Sequence, residues 1–248
     1  MSDHIDIVET ADGSKTLYDR QKQVHYRNMA GAQTESRYVF LEGSGLVQRP
    51  APWRVLELGF GAAVNFTQTV AAFEAQRAAG GRLEYHAVEY APVSPELLDF
   101  HAGEAGDMAR AALGEARDTG EVATVTSTDG LLELHVYPVK WVDFESPGLD
   151  AHAVFYDPFG PRSEPDSWTV ECFENARRHL AADGVLATYS AATHVKRKLF
   201  EAGFCVASAP GPGRKREVTF ASPTRETLEG RDGFEMLSRD KYLEQDHD

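Results

Sequence analysis

Residues 53–66, Trp53-Arg54-Val55-Leu56-Glu57-Leu58-Gly59-Phe60-Gly61-Ala62-Ala63-Val64-Asn65-Phe66, run from an apolar stretch through two close glycines into a helix-like segment. Val55 to Leu58 reads as a parallel strand buried on both faces. Gly59 and Gly61 let the backbone turn tightly, and the helix behind them starts with N–H groups that have no intrahelical partner. The next strand, Leu83-Glu84-Tyr85-His86-Ala87-Val88-Glu89, ends on an acid, where a ribose diol lies in a doubly wound sheet. Val64 stands where the dinucleotide fingerprint has its third glycine, which disfavours a pyrophosphate on the helix. Carboxylates at strand ends, Glu57 and Glu89, would repel phosphates and suit the cationic methionine end and the ribose of S-adenosyl-L-methionine. The expected cofactor is therefore S-adenosyl-L-methionine and the expected activity methyl transfer.

The rest of the chain fits one α/β domain with additions. Its 248 residues fill one substantial core and would leave two cramped. Residues 1–50 read as an N-terminal cap with turn signals such as Asp12-Gly13-Ser14, residues 51–222 as the catalytic domain, and 223–248 as an acidic, loosely ordered tail. Within the domain, strands at 54–58, 83–89, 153–156 and 184–189 alternate with helices at about 62–78, 95–101, 167–180 and 192–202, and a mixed Ala/Gly-rich stretch fills 103–120. Asp166 or Ser167 is the expected N-cap of the third of these helices, and Gly203 the glycine that ends the fourth. Such alternation builds a mainly parallel sheet. Phe204 to Ala207, the turn Pro210-Gly211-Pro212-Gly213 and Glu217 to Ala221 then read as a closing antiparallel hairpin. The predicted fold is Rossmann-like, a class I S-adenosyl-L-methionine-dependent methyltransferase with a seven-stranded sheet ending in that hairpin.

Composition narrows the partners. Two cysteines without metal-ligand spacing and nine scattered histidines give no expectation of a metal. No apolar run approaches the roughly 20 residues of a membrane span, so no membrane partner and a cytoplasmic location are expected. A net charge of −14 opposes nonspecific attraction to nucleic acid, so an RNA partner would have to meet a local basic patch. Basic residues gather at Arg177-Arg178, Lys196-Arg197-Lys198 and Arg214-Lys215-Arg216; the last follows a Gly-Pro-Gly turn beside the sheet, where phosphate could meet side chains and backbone N–H groups together.

The reactive centre is expected in Phe155-Tyr156-Asp157-Pro158-Phe159-Gly160-Pro161, an acid at the end of a buried strand before a stiff aromatic loop. An alkylamine with a pKa near ~10 is almost wholly protonated at neutral pH and has no lone pair to methylate. Asp157 could take that proton or hold the amine in line. Tyr156, Phe159 and Trp168 could stack on a base, and ordinary core packing is the alternative for Tyr156 and Phe159.

These motifs resemble the methyltransferase domains of the bacterial tRNA 5-methylaminomethyl-2-thiouridine biosynthesis (MnmC) family, including its stand-alone forms. The likeness is carried in order by Asp12-Gly13-Ser14, His25-Tyr26, Gly31-Ala32 with Glu35-Ser36, Val39-Phe40-Leu41, Gly59-Phe60-Gly61 with Asn65-Phe66, Asp157 with Phe159 and Pro161, Pro165 with Trp168, Val195 with Arg197, and Gly213-Arg214-Lys215-Arg216-Glu217. The resemblance implies a catalytic Asp157, a cofactor held by Glu57 to Gly61, Asn65 and Glu89, a tRNA anticodon loop met by Arg197 and Arg214 to Arg216, and methylation of 5-aminomethyl-2-thiouridine at the wobble position. It also implies a separate enzyme to supply the aminomethyl tRNA. Three positions depart from the family pattern: Ala62-Ala63 follow Gly61, Pro158 follows Asp157, and the adenine-side acid after the Leu132–Leu134 strand is missing or moved to Asp143. A small-molecule amine as acceptor, or a non-catalytic cofactor- or tRNA-binding module, are the competing readings.

Overall fold

The computed structural model describes residues 4–76, 81–212 and 217–244. In chain order the strands and helices are β1 (Ile5–Glu9), β2 (Lys15–Asp19), β3 (Val24–His25), α1 (Ala32–Glu35), β4 (Trp53–Leu58), α2 (Val64–Gln76), β5 (Leu83–Val88), α3 (Gly103–Thr119), β6 (Ala123–Thr126), β7 (Leu132–Tyr137), β8 (Ala151–Tyr156), α4 (Val170–Arg178), β9 (Leu180–Thr188), α5 (Thr193–Glu201), β10 (Cys205–Pro210), β11 (Glu217–Ser222), β12 (Glu235–Met236) and α6 (Arg239–Leu243). The first three strands form a small antiparallel sheet of their own. The large sheet has nine strands in the order β12-β10-β11-β9-β8-β4-β5-β7-β6. Its five central members, β9 to β7 in that order, are mutually parallel, and β11 and β10 form the expected antiparallel hairpin. The seven-stranded sheet read from the sequence is thus present, widened by one short antiparallel strand at each edge, β6 and β12.

Alternation along the strands divides the core. Val55, Tyr85, Leu134 and Phe155 pack under α2 and α3, whereas Leu56, Val154, Tyr156 and Leu186 pack under α4 and α5. The cap shares the first of these cores: Leu17, Val39, Phe40, Leu41 and Leu46 are buried in it, so the cap is welded to the domain rather than hung from it. A π-helical turn, Ser36–Glu42, carries three of them.

Four local expectations are revised. The mixed stretch at 103–120 is the 17-residue helix α3, whose Met108, Ala109, Ala112, Leu113 and Ala116 make a buried stripe at helical spacing. The helix expected near 95–101 is a single 3-10 turn, Pro95–Leu98. The cap of α4 is Thr169, whose hydroxyl accepts from the Cys172 N–H, rather than Asp166 or Ser167. The acidic segment after Ser222 is not loose over its described part: Leu228 is fully buried, the Phe234 ring stacks on Phe220 at 4.5 Å, and β12 pairs with β10. Leu228 and Phe234 each enter an existing core, and the strand pairing adds backbone hydrogen bonds to the sheet edge. Gly203, with φ +84°, ends α5 as expected.

Candidate active site

Register builds the site. Leu58 lies opposite both Val88 and Tyr156, so the next residue of each strand, Gly59, Glu89 and Asp157, emerges side by side at the carboxyl edge of the sheet. The Gly59 N–H donates to the Val88 carbonyl at 3.0 Å and the Asp157 N–H to the Leu58 carbonyl at 3.0 Å, which extends the ladder to these three. At this point the sheet order reverses around its first long strand, the crevice where open α/β sheets bind ligands.

Gly59 has φ +85°, and a Cβ there would stand 2.7 Å from the Asp157 carbonyl oxygen; Gly61 has φ +51°, and its Cβ would meet the Tyr26 ring at 2.9 Å. Only glycine fits this turn. The Glu89 carboxylate holds the loop shut, accepting from the Gly61 N–H at 2.9 Å and the Ala91 N–H at 3.0 Å. Burial pushes the Glu89 carboxyl above the usual carboxylate range.

A cavity of about 640 Å³ opens over this edge, walled by Gly59 to Ala62, Glu89, Tyr90, Val139 to Val142, Asp157 to Phe159 and the 164–172 segment. Among the described residues, five carboxylates line it, Glu89, Asp157, Glu164, Asp166 and Glu171, against two cations, Arg27 and Lys140. Such a wall disfavours a phosphate and suits a sulfonium or ammonium centre. The glycine cradle, the strand-end acid and this charge balance together fit S-adenosyl-L-methionine.

The other side of the cleft is built by the cap. Asp12 sits at the β1–β2 turn and accepts at Oδ1 from the Thr10 hydroxyl (2.7 Å) and the Ser14 N–H (3.1 Å), and at Oδ2 from the Thr34 N–H (3.0 Å). That pins the start of α1 to the hairpin and throws Tyr26 and Arg27 across the cleft. Arg27 is 7% exposed and forms an ion pair with Asp157; its other nitrogen is 3.7 Å from Glu57. Asn65 Nδ2 donates to Glu57 at 2.6 Å and to Asp157 at 3.0 Å, and its own oxygen accepts from Ser36 at 2.6 Å. The Tyr85 hydroxyl donates to the second Glu57 oxygen at 2.8 Å. Complete burial pushes the Glu57 carboxyl up to about 8 despite the opposing pull of Arg27, with the Asp157 charge adding to the rise. One guanidinium thus serves two carboxyl groups, and burial favours the protonated form of the second.

A second cavity of about 330 Å³, lined by Val24 to Asn28, Glu35, Asp157 to Gly160 and Tyr189, meets the first at Tyr26, Arg27, Asp157, Pro158 and Phe159. The Tyr26 and Phe159 rings meet edge to face at 4.9 Å. The Tyr189 hydroxyl donates to the Pro158 carbonyl at 2.8 Å and so steadies the loop after the acid.

Of the residues expected in the site, Gly59, Phe60, Gly61, Glu89, Asp157 and Phe159 line the larger cavity. Glu57 and Asn65 do not: both are fully buried one layer below, and they brace Asp157 instead. Tyr156 and Trp168 are fully buried too, the first donating to the Ser167 carbonyl and the second to the Phe159 carbonyl at 2.8 Å, so both are core packing residues. Arg197 lies on α5, 3.7 Å from Glu201, and lines neither cavity. Its neighbours are engaged internally, Lys196 with Glu217 at 2.6 Å and Lys198 with the Trp168 carbonyl at 2.7 Å. Arg214, Lys215 and Arg216 lie outside the described residues. Asp143 is exposed and absent from the cavity wall, where Lys140 and Trp141 stand instead. Sequence reading missed Arg27, a lone cation in a loop with no periodicity to mark it.

Comparison with known proteins agrees with this geometry. Residues 114–224 match a family described as S-adenosyl-L-methionine-dependent methyltransferase. A tRNA 5-methylaminomethyl-2-thiouridine biosynthesis bifunctional protein MnmC from Ralstonia nicotianae is 33% identical over 210 residues, 79% of this chain and 31% of that protein. The protein of the same name from Caulobacter vibrioides is 34% identical over 204 residues, 78% of this chain and 34% of that one. The chain therefore spans about a third of the length of these curated relatives. Among solved structures, MNMC2 from Aquifex aeolicus superposes with a TM-score of 0.71 at 27% identity, over 89% of this chain and 70% of that one.

Proposed function

We propose that this chain is an S-adenosyl-L-methionine-dependent methyltransferase of the MnmC kind and that it methylates the nitrogen of a 5-aminomethyl group on the wobble (2-thio)uridine of tRNA. The observation that carries this reading is the position of Asp157 at the junction of two cavities, one suited to the cofactor and one opening beside the cap. When bound, S-adenosyl-L-methionine supplies an electrophilic methyl carbon on its sulfonium. Glu89, fixed at the strand end, is the acceptor for ribose hydroxyls, and the Gly59–Gly61 turn lets the cofactor lie against bare backbone.

The protein's own task is to present a neutral amine. An ammonium entering the smaller cavity approaches Arg27, whose buried positive charge favours loss of the amine's proton. Asp157 accepts an N–H and aims the nitrogen lone pair across the junction. Methyl transfer leaves a secondary ammonium, and its proton passes out through the same carboxylate and the open side of the cavity. Tyr26 and Phe159 frame the junction as apolar walls and keep water from competing.

With a net charge of −14, binding to tRNA rests on local cations, for which Arg214, Lys215, Arg216 and Arg197 are our candidates. No helix among the described residues is long and apolar enough to cross a membrane; a cytoplasmic site of action is part of the proposal.

The test is transfer of labelled methyl to two tRNA pools, one accumulating 5-aminomethyl uridine and one fully modified. Label should enter only the first pool and should fall by about 10²–10⁴-fold in Asp157→Ala, the usual contribution of a positioned acid–base group. Label in neither pool, with cofactor binding intact, would overturn the tRNA assignment and turn attention to small amines.

A further inference from the structure

A second cluster lies away from the cleft, on the sheet face opposite α2 and α3. Along β5 and β7, Leu83, Tyr85, Ala87, Leu132, Leu134 and Val136 enter the α2–α3 core, so Glu84, His86, Glu133 and His135 go to the other side. The parallel ladder sets Glu84 opposite Glu133 and His86 opposite His135. A polar strip at a sheet edge is unremarkable in itself. Its internal geometry is not: the two imidazoles stack with centroids 4.5 Å apart and planes 15° from parallel.

Each ring is held the same way. Nδ1 of His86 is 2.9 Å from the Tyr137 hydroxyl, and Nδ1 of His135 is 3.0 Å from the Thr124 hydroxyl on β6. Each Nε2 faces a carboxylate, Glu84 at 2.8 Å for His86 and Glu133 at 3.5 Å for His135. One ligand atom each from Glu84, His86 and His135 lie within 4.8 Å of one another. A tetrahedral zinc ion with bonds of about 2.0–2.2 Å needs its ligand atoms roughly 3.3–3.5 Å apart. Bringing these atoms to one ion needs rotation of the half-exposed Glu84 side chain and a swing of the His135 ring out of the stack, because the in-plane lone pairs of nearly parallel rings do not converge. A carboxylate at 2.8 Å makes His86 Nε2 the N–H donor and leaves Nδ1 to accept from the Tyr137 hydroxyl; a metal ion that replaced the Nε2 proton would turn each Nδ1 into the donor, with the Tyr137 and Thr124 hydroxyls as acceptors, the usual outer-shell arrangement of a metal-binding histidine. The neighbouring cation, Arg54 opposite Glu84, is turned to the Leu149 carbonyl at 2.8 Å.

We propose that Glu84, His86 and His135, with Glu133 or water as the fourth ligand, bind one divalent transition-metal ion of the zinc type. The ion would clip β5 to β7 and, through Thr124, to β6; it has no part in methyl transfer. Imidazole–carboxylate sets favour zinc, nickel and copper over magnesium and calcium.

The test uses the whole protein, stripped with chelator and titrated with zinc chloride by calorimetry, with cobalt chloride as a spectroscopic probe. One equivalent of zinc, a visible cobalt band of tetrahedral intensity and a rise in melting temperature with added zinc are expected. His135→Gln should abolish the cobalt band, Thr124→Val should weaken zinc binding by about 10–100-fold, and His152→Gln, on the same sheet face, should change neither. Circular dichroism confirms that each variant is folded, and Glu84→Gln provides a second ligand variant should His135→Gln unfold. Absence of zinc uptake by the unmodified protein, or uptake that His135→Gln and Glu84→Gln leave unchanged, would overturn the site.

Discussion

The two walls of the cleft are made in opposite ways. The cofactor wall comes from strand ends: β4 and β5 run in register and their next residues, Gly59 and Glu89, arrive together without help from any distant segment. The acceptor wall comes from the cap, whose Arg27 crosses to reach Asp157 and Glu57 on two different strands of the domain. One wall is local backbone geometry, the other a tertiary electrostatic network. Damage to the first should therefore act on the cofactor, and damage to the second on stability and the acceptor.

The largest effect should come from Arg27. Its removal takes away the guanidinium that Asp157 and Glu57 share, and breaking a buried pair in this way typically costs about 3–5 kcal/mol. Arg27→Met should lower the melting temperature by roughly 10 °C, at about 2–4 °C per kcal/mol for a chain of this size. Adding Asp157→Asn should restore much of that loss, because the carboxylate charge goes with it. Chemical denaturation of the two single variants and the double variant measures the coupling. Additive losses would mean that the guanidinium holds the cap by packing alone and that the acceptor wall is no network.

Gly59→Ala probes the opposite wall. The new Cβ would meet the Asp157 carbonyl oxygen at 2.7 Å with φ at +85°, and strain of this kind costs of the order of 1–3 kcal/mol. Cofactor affinity, read by calorimetry with S-adenosyl-L-methionine, should fall by more than the protein's affinity for tRNA. Equal losses of both would erase the distinction between the walls.

That distinction also separates what could be read from the sequence from what could not. Gly59, Glu89 and Asp157 were legible because a strand buried on both faces is a run of apolar residues, and the residue that ends the run must emerge at the sheet edge. The closing hairpin was legible from its Pro-Gly turn. Tyr156 and Trp168 misled because an aromatic beside a reactive acid reads alike whether it faces the ligand or the core; here both rings are fully buried. Glu57 and Asn65 were found as members of the motif but given the wrong partner, since their depth below the cavity is a tertiary fact. Helix α3 was obscured by Gly103, Gly106 and Gly114, which lower helix propensity without removing the buried alanine stripe. Arg27 left no local signal at all: its meaning depends on two carboxylates on other strands.

The most diagnostic effect concerns Glu57. Its carboxyl is raised by burial from 4.5 to about 8 in the folded protein. A group raised in this way contributes stability that is full below its unfolded value and drains away as pH rises through the folded one, because the native state holds the extra proton in between. Stability should therefore decline between about pH 4.5 and 8, with a slope from this group of at most about 1.4 kcal/mol per pH unit. Glu57→Gln copies the protonated form and keeps an oxygen for Asn65 and a group for Tyr85. The variant should match the unmodified protein below about pH 4.5, overtake it progressively between pH 4.5 and 8, and flatten the profile there. If instead Glu57→Gln loses stability evenly at every pH, Glu57 is a charged partner of Arg27 throughout, and the acceptor wall holds one cation against two anions rather than a balanced pair.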